Sequence, residues 1–472
     1  MIPLSVAQIA AVTGARLAGA PDPAALVTGP VVIDSREAVP GSLFAALPGT
    51  RTDGHQFAAA ARAAGAAAVL VSQPVGGGPE LLVADVQAAL GMLARAVIDR
   101  AADLTVIGIT GSAGKTTTKD LTAQLLETLG ATVAPAGSFN NEIGHPLTVL
   151  KITEETRYLV SELAARGLGH ITALCQIAPP KLGAVLCVGH AHAGEFGSLE
   201  RIAEAKGELP AALPADGVAL LNADDARVAA MAARTRARVV TFGRSADAAV
   251  RAERVRTDDA GRARFTLAMA GGSARVRLRL YGEHHVSNAL AAAAIAGELG
   301  MPVSDIAAGL SAAVARSRWR MEVTERADGV TIVNDAYNAN PDTVRAAIAA
   351  VARMAAGRRG FAVLGHMTEL GDQEARLHEE IGAAAATAGL AGLIVVGDAA
   401  APMLAGAKAV PSWQGELVSV PDAAAAFRAI TDRLRAGDVV LVKASHSIGL
   451  ERVALALTGE RPPPPAGEEP RE

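Results

Sequence analysis

The residues of this chain that could do chemistry sit in short polar segments, most of them just after an apolar run. The foremost is Thr110-Gly111-Ser112-Ala113-Gly114-Lys115-Thr116-Thr117-Thr118. Leu104 to Ile109 before it reads as a strand. Leu121, Leu125, Leu126 and Leu129 after it share one face and predict a helix with Gly130 as its C-cap. A strand, a glycine-rich turn, Gly-Lys-Thr and a helix together make a phosphate cradle. Backbone N–H groups and the helix N-terminus face the anion, Lys115 neutralises the outer phosphates, and the Thr116 hydroxyl can ligate Mg²⁺. Ile109 stands where the longer glycine-lysine pattern wants its first glycine, so only the tighter Thr-Gly-x-x-Gly-Lys-Thr-Thr form is present. A glycine-rich turn with a solvated lysine is the competing reading, and the flanking strand and helix weigh against it.

Taken by residue chemistry alone, the other segments stay open between a site and ordinary structure. Asp34-Ser35-Arg36 offers a hydroxyl and a guanidinium to an anion, or is a polar loop. Asn140-Asn141-Glu142 and the start of the helix near Asn288 read equally as an Asn-rich turn and a polar helix cap. Glu162 ends the strand Tyr158 to Leu163 and could ligate Mg²⁺, or be a lone carboxylate. His190 and His192 are two apart, but zinc would want further Cys or His ligands at definite spacing, and none follow. Ser198 caps a predicted helix from Leu199 to Leu209, and Lys206 on it reads as a solvated charge. Asn334 to Asp342 and Leu364 to Gly371 each follow a predicted strand, at the strand ends where ligands bind in parallel sheets.

The elements that must carry these segments are legible in composition and period. A length of 472 residues suggests three domains. Half of the residues are hydrophobic and only 3% aromatic, so the cores should be aliphatic and closely packed. Lys+Arg 44 against Asp+Glu 48 excludes a nucleic-acid or anionic-membrane partner by charge. Cys175 and Cys187 sit in apolar runs and read as buried thiols of a reducing compartment. No basic leader precedes the short helix of Val6, Ile9 and Val12. The uncharged run Ile381 to Val396, broken by Gly389 and Gly392, reads as a helix end and a buried strand, so no membrane insertion and a cytoplasmic location are expected. Strands at Val330–Val333, Phe361–Leu364, Leu393–Val396 and Val439–Val442 alternate with Ala-rich helices, the mark of a parallel doubly wound unit.

The order of these motifs resembles the Mur ligase superfamily, ATP-dependent amide-forming ligases. Asp34-Ser35-Arg36, Pro40-Gly41-Ser42-Leu43-Phe44 and Asp53-Gly54-His55 are similar to the uridine-nucleotide-binding domain of its later members. Asn140 to Thr148 and Tyr337-Asn338-Ala339-Asn340-Pro341 resemble the branch that adds D-alanyl-D-alanine. The resemblance implies an α/β fold in three domains. These are a small uridine-nucleotide-binding domain over 1–85, a central P-loop ATPase-like domain over 86–316 and a C-terminal Rossmann-like domain over 317–460, with the proline-rich 461–472 a disordered tail.

It implies ATP contacts from Gly111, Ser112, Ala113, Gly114, Lys115, Thr116, Thr117, Asn288, Arg320 and Asp335. Substrate contacts would come from Ser35, Arg36, Asn140, Asn141, Tyr337, Asn338 and Asn340. Two Mg²⁺ ions would lie on Thr116, Glu162, His192 and Lys206, the lysine carbamylated by CO₂ to N6-carboxylysine. Lys115, Glu162, His192 and Lys206 would be catalytic. The implied reaction, in a monomer, joins D-alanyl-D-alanine to UDP-N-acetylmuramoyl-tripeptide through an acyl phosphate. A tripeptide-forming ligase and a decayed nucleotide-binding relative acting as a partner protein are the alternatives. Ala164, Arg166, His170, His285, Trp319, His366, Ala444 and His446 depart from the family pattern, which has glycine at 319 and arginine at 446. Domains that share one site also imply closure, with the Tyr337–Asn338 loop distant from Lys115 before ligands bind.

Overall fold

The computed structural model describes residues 1–49, 52–191 and 193–460. His192 and the tail expected to be disordered over 461–472 lie outside them. The chain is α/β, as expected, and its main sheets have five, nine and six strands. In the five-stranded sheet Val31–Val32, Leu43–Ala45, Ala68–Val71 and Glu80–Leu82 run parallel, and Arg16–Ala18 pairs antiparallel at the edge.

The nine-stranded sheet puts Thr105–Thr110 between Leu182–Val185 and Tyr158–Glu162, all parallel. Val218–Asn222 follows on the far side of Leu182–Val185. The carboxyl ends of these strands therefore face one crevice, and each delivers a polar residue or a glycine turn to it. The helix Lys115–Leu126 leaves this crevice, and the Ala-rich helix His285–Glu298 packs against it. Val286 and the unbroken run Ala289 to Ala296 are buried around that helix. Alanines on every face let the backbone lie close to its neighbours, which brings Asn288 up to the phosphate loop.

The six-stranded sheet has the order Glu322–Glu325, Thr331–Asn334, Val439–Lys443, Gly360–Gly365, Gly392–Val396 and Glu416–Val420. Its four central strands match the sequence reading to within a residue or two. The reading did not contain the antiparallel edge Glu322–Glu325, rich in charged and polar residues, or the short outer strand Glu416–Val420. Tyr337 and Lys443 stand at its carboxyl edge. Among the described residues no helix is long and apolar enough to cross a membrane.

Two helices end differently from the sequence reading. The phosphate-loop helix stops at Leu126, short of Gly130, and Leu129 is exposed. There Thr128 donates its hydroxyl to the Leu125 carbonyl at 2.7 Å and the chain leaves through a turn. The helix expected from Leu199 to Leu209 divides into Leu199–Lys206 and Glu208–Ala212. Pro210 has no N–H for the Lys206 carbonyl and its ring crowds it, so the break falls just after Lys206.

The segment joining the central and C-terminal sheets is fastened to one face of the phosphate-loop helix. Gln124 donates to the Val314 carbonyl at 3.0 Å and accepts from the Val314 N–H at 3.0 Å. One helical turn earlier, Asp120 accepts from the Ser317 N–H at 3.1 Å; its other oxygen takes the Lys119 ammonium at 2.5 Å. Glu127 pairs with both terminal nitrogens of Arg316. Gln124→Ala removes both hydrogen bonds to Val314, of about 1 kcal/mol each, and a further one to the Asp120 carbonyl within its own helix. We expect a loss of about 1–2 kcal/mol in denaturant unfolding and faster hydrogen exchange confined to residues 313–318. Unchanged exchange there would show that the segment is held by other contacts.

Candidate active site

The turn after Thr105–Thr110 needs its glycines. Gly114 has φ 82°, and a side chain there would also run into Asn288 Oδ1. The Ser112 N–H donates to the Cys187 carbonyl at 2.9 Å, and the Ser112 hydroxyl accepts from the Gly189 N–H at 2.9 Å. The neighbouring strand end thus braces the loop. Lys115 folds back so that its Nζ donates to the Gly111 carbonyl at 2.8 Å. Burial lowers its pKa, opposed by the Glu162 carboxylate. Thr116 shares a hydrogen bond of 3.1 Å with Ser138, whose hydroxyl also accepts from Arg320 at 2.8 Å.

Glu162 and Lys206 are buried charges beside the phosphate loop. Glu162 is 1% exposed; Asn140 donates to its Oε1 at 2.7 Å, and Oε2 has no hydrogen-bond partner among the described residues. A buried carboxylate oxygen left bare costs a few kcal/mol unless a cation or donor arrives. Lys206 is 3% exposed, and burial, helped by repulsion from Lys115, brings its pKa down to about 7. It was expected by residue chemistry to be solvated; it is instead buried at the end of Leu199–Lys206, close enough to Lys115 and Cys187 to feel their charge. Both groups suit a bound cation if the lysine becomes an anion. Among the described residues no three His, Cys, Asp or Glu side chains converge on a metal position. The Cys187 thiol lies beside the phosphate loop, and burial pushes its pKa up.

The C-terminal part forms the opposite wall. Asp335 accepts from Lys443 Nζ at 2.6 Å and from the Met321 N–H at 2.9 Å. Lys443 also donates to the Asn338 carbonyl at 2.7 Å, which sets the Tyr337–Asn338 loop. Asn340 caps the helix Pro341–Met354, its Oδ1 accepting from the Thr343 N–H at 3.0 Å. The Arg320 guanidinium lies 4.3 Å from the Tyr337 ring centre.

These walls enclose a cavity of about 590 Å³. The structure brings to it Ser112 to Thr117, Asn140, Asn141, Glu162, Asn288, Arg320, Asp335, Tyr337, Asn338 and Asn340. Gly111 and Lys206 are not part of the lining, though Lys206 is near enough to Lys115 to be repelled by it. Ser35 and Arg36 lie apart, on an exposed 3₁₀ turn where Arg36 clasps Asp34 at 2.7 Å and holds that carboxyl's pKa down. The expected separation of the Tyr337–Asn338 loop from Lys115 is not seen, because both line this one cavity. The two walls are tied directly: the His190 N–H donates to Asp342 at 2.9 Å, and the Gly194 N–H to the Glu369 carbonyl at 2.9 Å. Sequence reasoning missed Ser138 and Lys443 as site residues. Lys443, a charge ending the apolar run Val439 to Val442, carried a usable signal; Ser138, in an irregular loop, carried none.

An α/β fold with a phosphate loop opening into a cavity shared by two sheets defines a nucleotide-using enzyme of the ligase type. The chain belongs to the Mur ligase family. Residues 30–98 match the model described as Mur ligase family, catalytic domain; 109–296 match the Mur ligase middle domain, and 319–446 match Mur ligase, glutamate ligase domain. The UDP-N-acetylmuramoyl-tripeptide–D-alanyl-D-alanine ligase of Mycobacterium tuberculosis is 49% identical, the alignment covering 98% of each chain. The enzyme of that name from Escherichia coli is 34% identical over 97% of this chain and 99% of its own. Among solved structures, MurF from Acinetobacter baumannii superposes with a TM-score of 0.86 at 31% identity, covering 97% of this chain and 99% of that one. A Thermotoga maritima MurF ligase in complex with ADP gives 0.80 at 30% identity, covering 92% and 98%.

Gly114→Ala tests the cradle. The left-handed backbone costs an alanine about 1–2 kcal/mol, and the methyl displaces Asn288. ADP affinity, read by calorimetry, should fall roughly tenfold or more. Unchanged affinity would mean that the turn does not hold phosphates.

Proposed function

We propose that the chain joins D-alanyl-D-alanine to UDP-N-acetylmuramoyl-tripeptide with ATP, in the cytoplasm and as a monomer, making a peptidoglycan precursor. The observation that carries this reading is the convergence of the phosphate loop, the bare oxygen of Glu162 and the Tyr337–Asn340 loop on one cavity. The names of the full-length relatives agree with it. The division into 1–85, 86–316 and 317–460 is our working description of the parts, with Ser35 and Arg36 taking the uridine nucleotide away from the cavity.

The phosphates of ATP would rest on the N–H groups of residues 111–117, with Lys115 and Arg320 facing the charge that moves. Asn288, whose Oδ1 packs on Gly114, keeps the loop in register for the nucleotide. The tripeptide carboxylate attacks the γ-phosphorus; an O–P bond forms, the bond to the bridging oxygen breaks, and ADP leaves. The amine of D-alanyl-D-alanine then adds to the acyl carbon, loses a proton, and phosphate departs as the amide forms. Asn140, Asn141, Tyr337 and Asn338 orient the two peptides, while Asn340 and the Asp335–Lys443 pair fix that loop. The chain's own contribution is positioning and charge neutralisation. Thr116, Glu162, His192 and a carbamate on Lys206 would hold Mg²⁺, which when bound offsets phosphate charge.

Lys206 suits that modification because a pKa of about 7 leaves much of the amine neutral at neutral pH. The neutral nitrogen adds to CO₂ and releases a proton, so a buried cation becomes an anion. Protein equilibrated with ¹³C-bicarbonate should show one carbamate carbon signal that is absent from Lys206→Ala. Lys206→Ala should also lose most activity and regain part of it with acetate or formate. A labelled wild type without that signal, and an active Lys206→Ala, would return Lys206 to a structural role.

Lys115→Ala should cut turnover roughly 10²–10³-fold, with the melting temperature retained. Phosphate release measured with each UDP-muramoyl peptide, with and without D-alanyl-D-alanine, checks the reaction itself. Release that needs the dipeptide's amine supports it, whereas release with a free amino acid and the dipeptide precursor would assign the tripeptide-forming reaction.

A further inference from the structure

Trp319 and His446, two positions that depart from the Mur pattern, touch each other. Their ring centres are 5.8 Å apart at 30°. The His446 ring in turn stacks on Tyr337, 5.4 Å away at 17°. The backbone around them is unusual. Trp319 has φ 59° and Met321 φ 50°, left-handed values on either side of Arg320. Side chains other than glycine adopt that region only when their surroundings over-determine it. Here the Trp319 N–H donates to Glu322 at 3.0 Å, and the Trp319 carbonyl accepts from the Tyr337 N–H at 3.2 Å. The double kink sends Arg320 to Ser138 and the Tyr337 ring, and Trp319 to His446.

We infer that Trp319 and His446 are positioning residues that lock Tyr337, and with it Arg320, into the cavity. His446 is exposed, so packing in a core does not account for its place; its aromatic contacts are with Tyr337 and Trp319. A strained backbone at Trp319 is retained because the ring it carries closes one side of the stack. Arg320 touches Tyr337 as well, so the loop between Asp335 and Asn340 and the joining segment 317–321 are held as one unit. The kinetic part of this inference rests on the proposed reaction, in which Tyr337 faces the peptide substrates.

The test separates the stack from the reaction. The chain has 3 tyrosines, so protein labelled with 3-fluorotyrosine should give a small set of ¹⁹F signals, with that of Tyr337 assigned by Tyr337→Phe. Trp319→Gly suits the left-handed backbone and removes only the ring; His446→Ala removes the exposed ring. In both variants the Tyr337 signal should shift and narrow toward that of a mobile ring, while those of Tyr158 and Tyr281 stay in place. Trp319→Phe and His446→Phe, which keep a ring, should restore it. In steady-state assays the alanine and glycine variants should raise KM for a peptide substrate about tenfold with kcat changed less, and the phenylalanine variants should recover it. A Tyr337 signal unmoved in both Trp319→Gly and His446→Ala overturns the inference, whatever the activity. A moved signal with KM unchanged overturns the positioning role while leaving the stack, and an inactive wild type would fall on the proposed reaction alone.

Discussion

Charge held out of water is the constraint around which this site is arranged. Lys206 and Glu162 lie almost wholly inside the central part, and one oxygen of Glu162 has no hydrogen-bond partner among the described residues. An isolated buried ion is costly enough that the group usually neutralises instead, and the depressed pKa of Lys206 is that response. Lys115 feels both, raised by Glu162 and itself lowering Lys206. Apolar cores could remove all three at a gain in stability. Glu162 at the end of its strand, Lys115 at the start of a helix and Lys206 at the end of another are close enough to feel one another, a grouping that fits a polyanion and a cation arriving together. The contrast with Lys443 is instructive: equally buried, it is satisfied by Asp335 and two carbonyls, and it holds a loop.

The same economy of contacts joins the two walls. Asp120, Gln124 and Glu127 recur at helical spacing on the helix that begins with Lys115, and together they grip the segment that leads to Arg320. Movement of the phosphate loop is thereby coupled mechanically to the arginine facing it. The direct ties at His190–Asp342 and Gly194–Glu369 are joined by Arg320–Ser138 and Arg353–Glu283. Contacts of this kind, hydrogen bonds and ion pairs between side chains and loops, can part without unfolding either sheet.

How much of this was legible follows from the range of the interactions. Strand, turn and helix around Lys115 are local, and the four central strands of the last sheet announced themselves as apolar runs between Ala-rich helices. Glycine at 114 was readable as a cradle residue because its role is set by its own φ. The grip of Gln124 on Val314 was not readable, since nothing near either residue names the other across 190 positions. The burial of Lys206 was hidden for a similar reason. Its sequence neighbours look solvated, and its nearness to Lys115 spans distant positions of the chain. The charged edge strand Glu322–Glu325 lacks an apolar period because one side of it has no sheet partner.

The departure at position 285 shows how a changed side chain can keep its neighbour's geometry. Where the family pattern has asparagine, His285 lies buried, and its Nδ1 faces Asn288 Nδ2 at 3.1 Å. An amide N–H needs an acceptor, which a histidine supplies only when that nitrogen is unprotonated. Burial, reinforced by the adjacent His284 ring 4.1 Å away, holds the pKa of His285 well below its ordinary value. The ring is therefore neutral across the physiological range and can accept where an asparagine carbonyl would. Asn288 then keeps its amide turned so that Oδ1 packs against Gly114. The His285 ring thus stands where it can offer Asn288 an acceptor in place of an amide carbonyl.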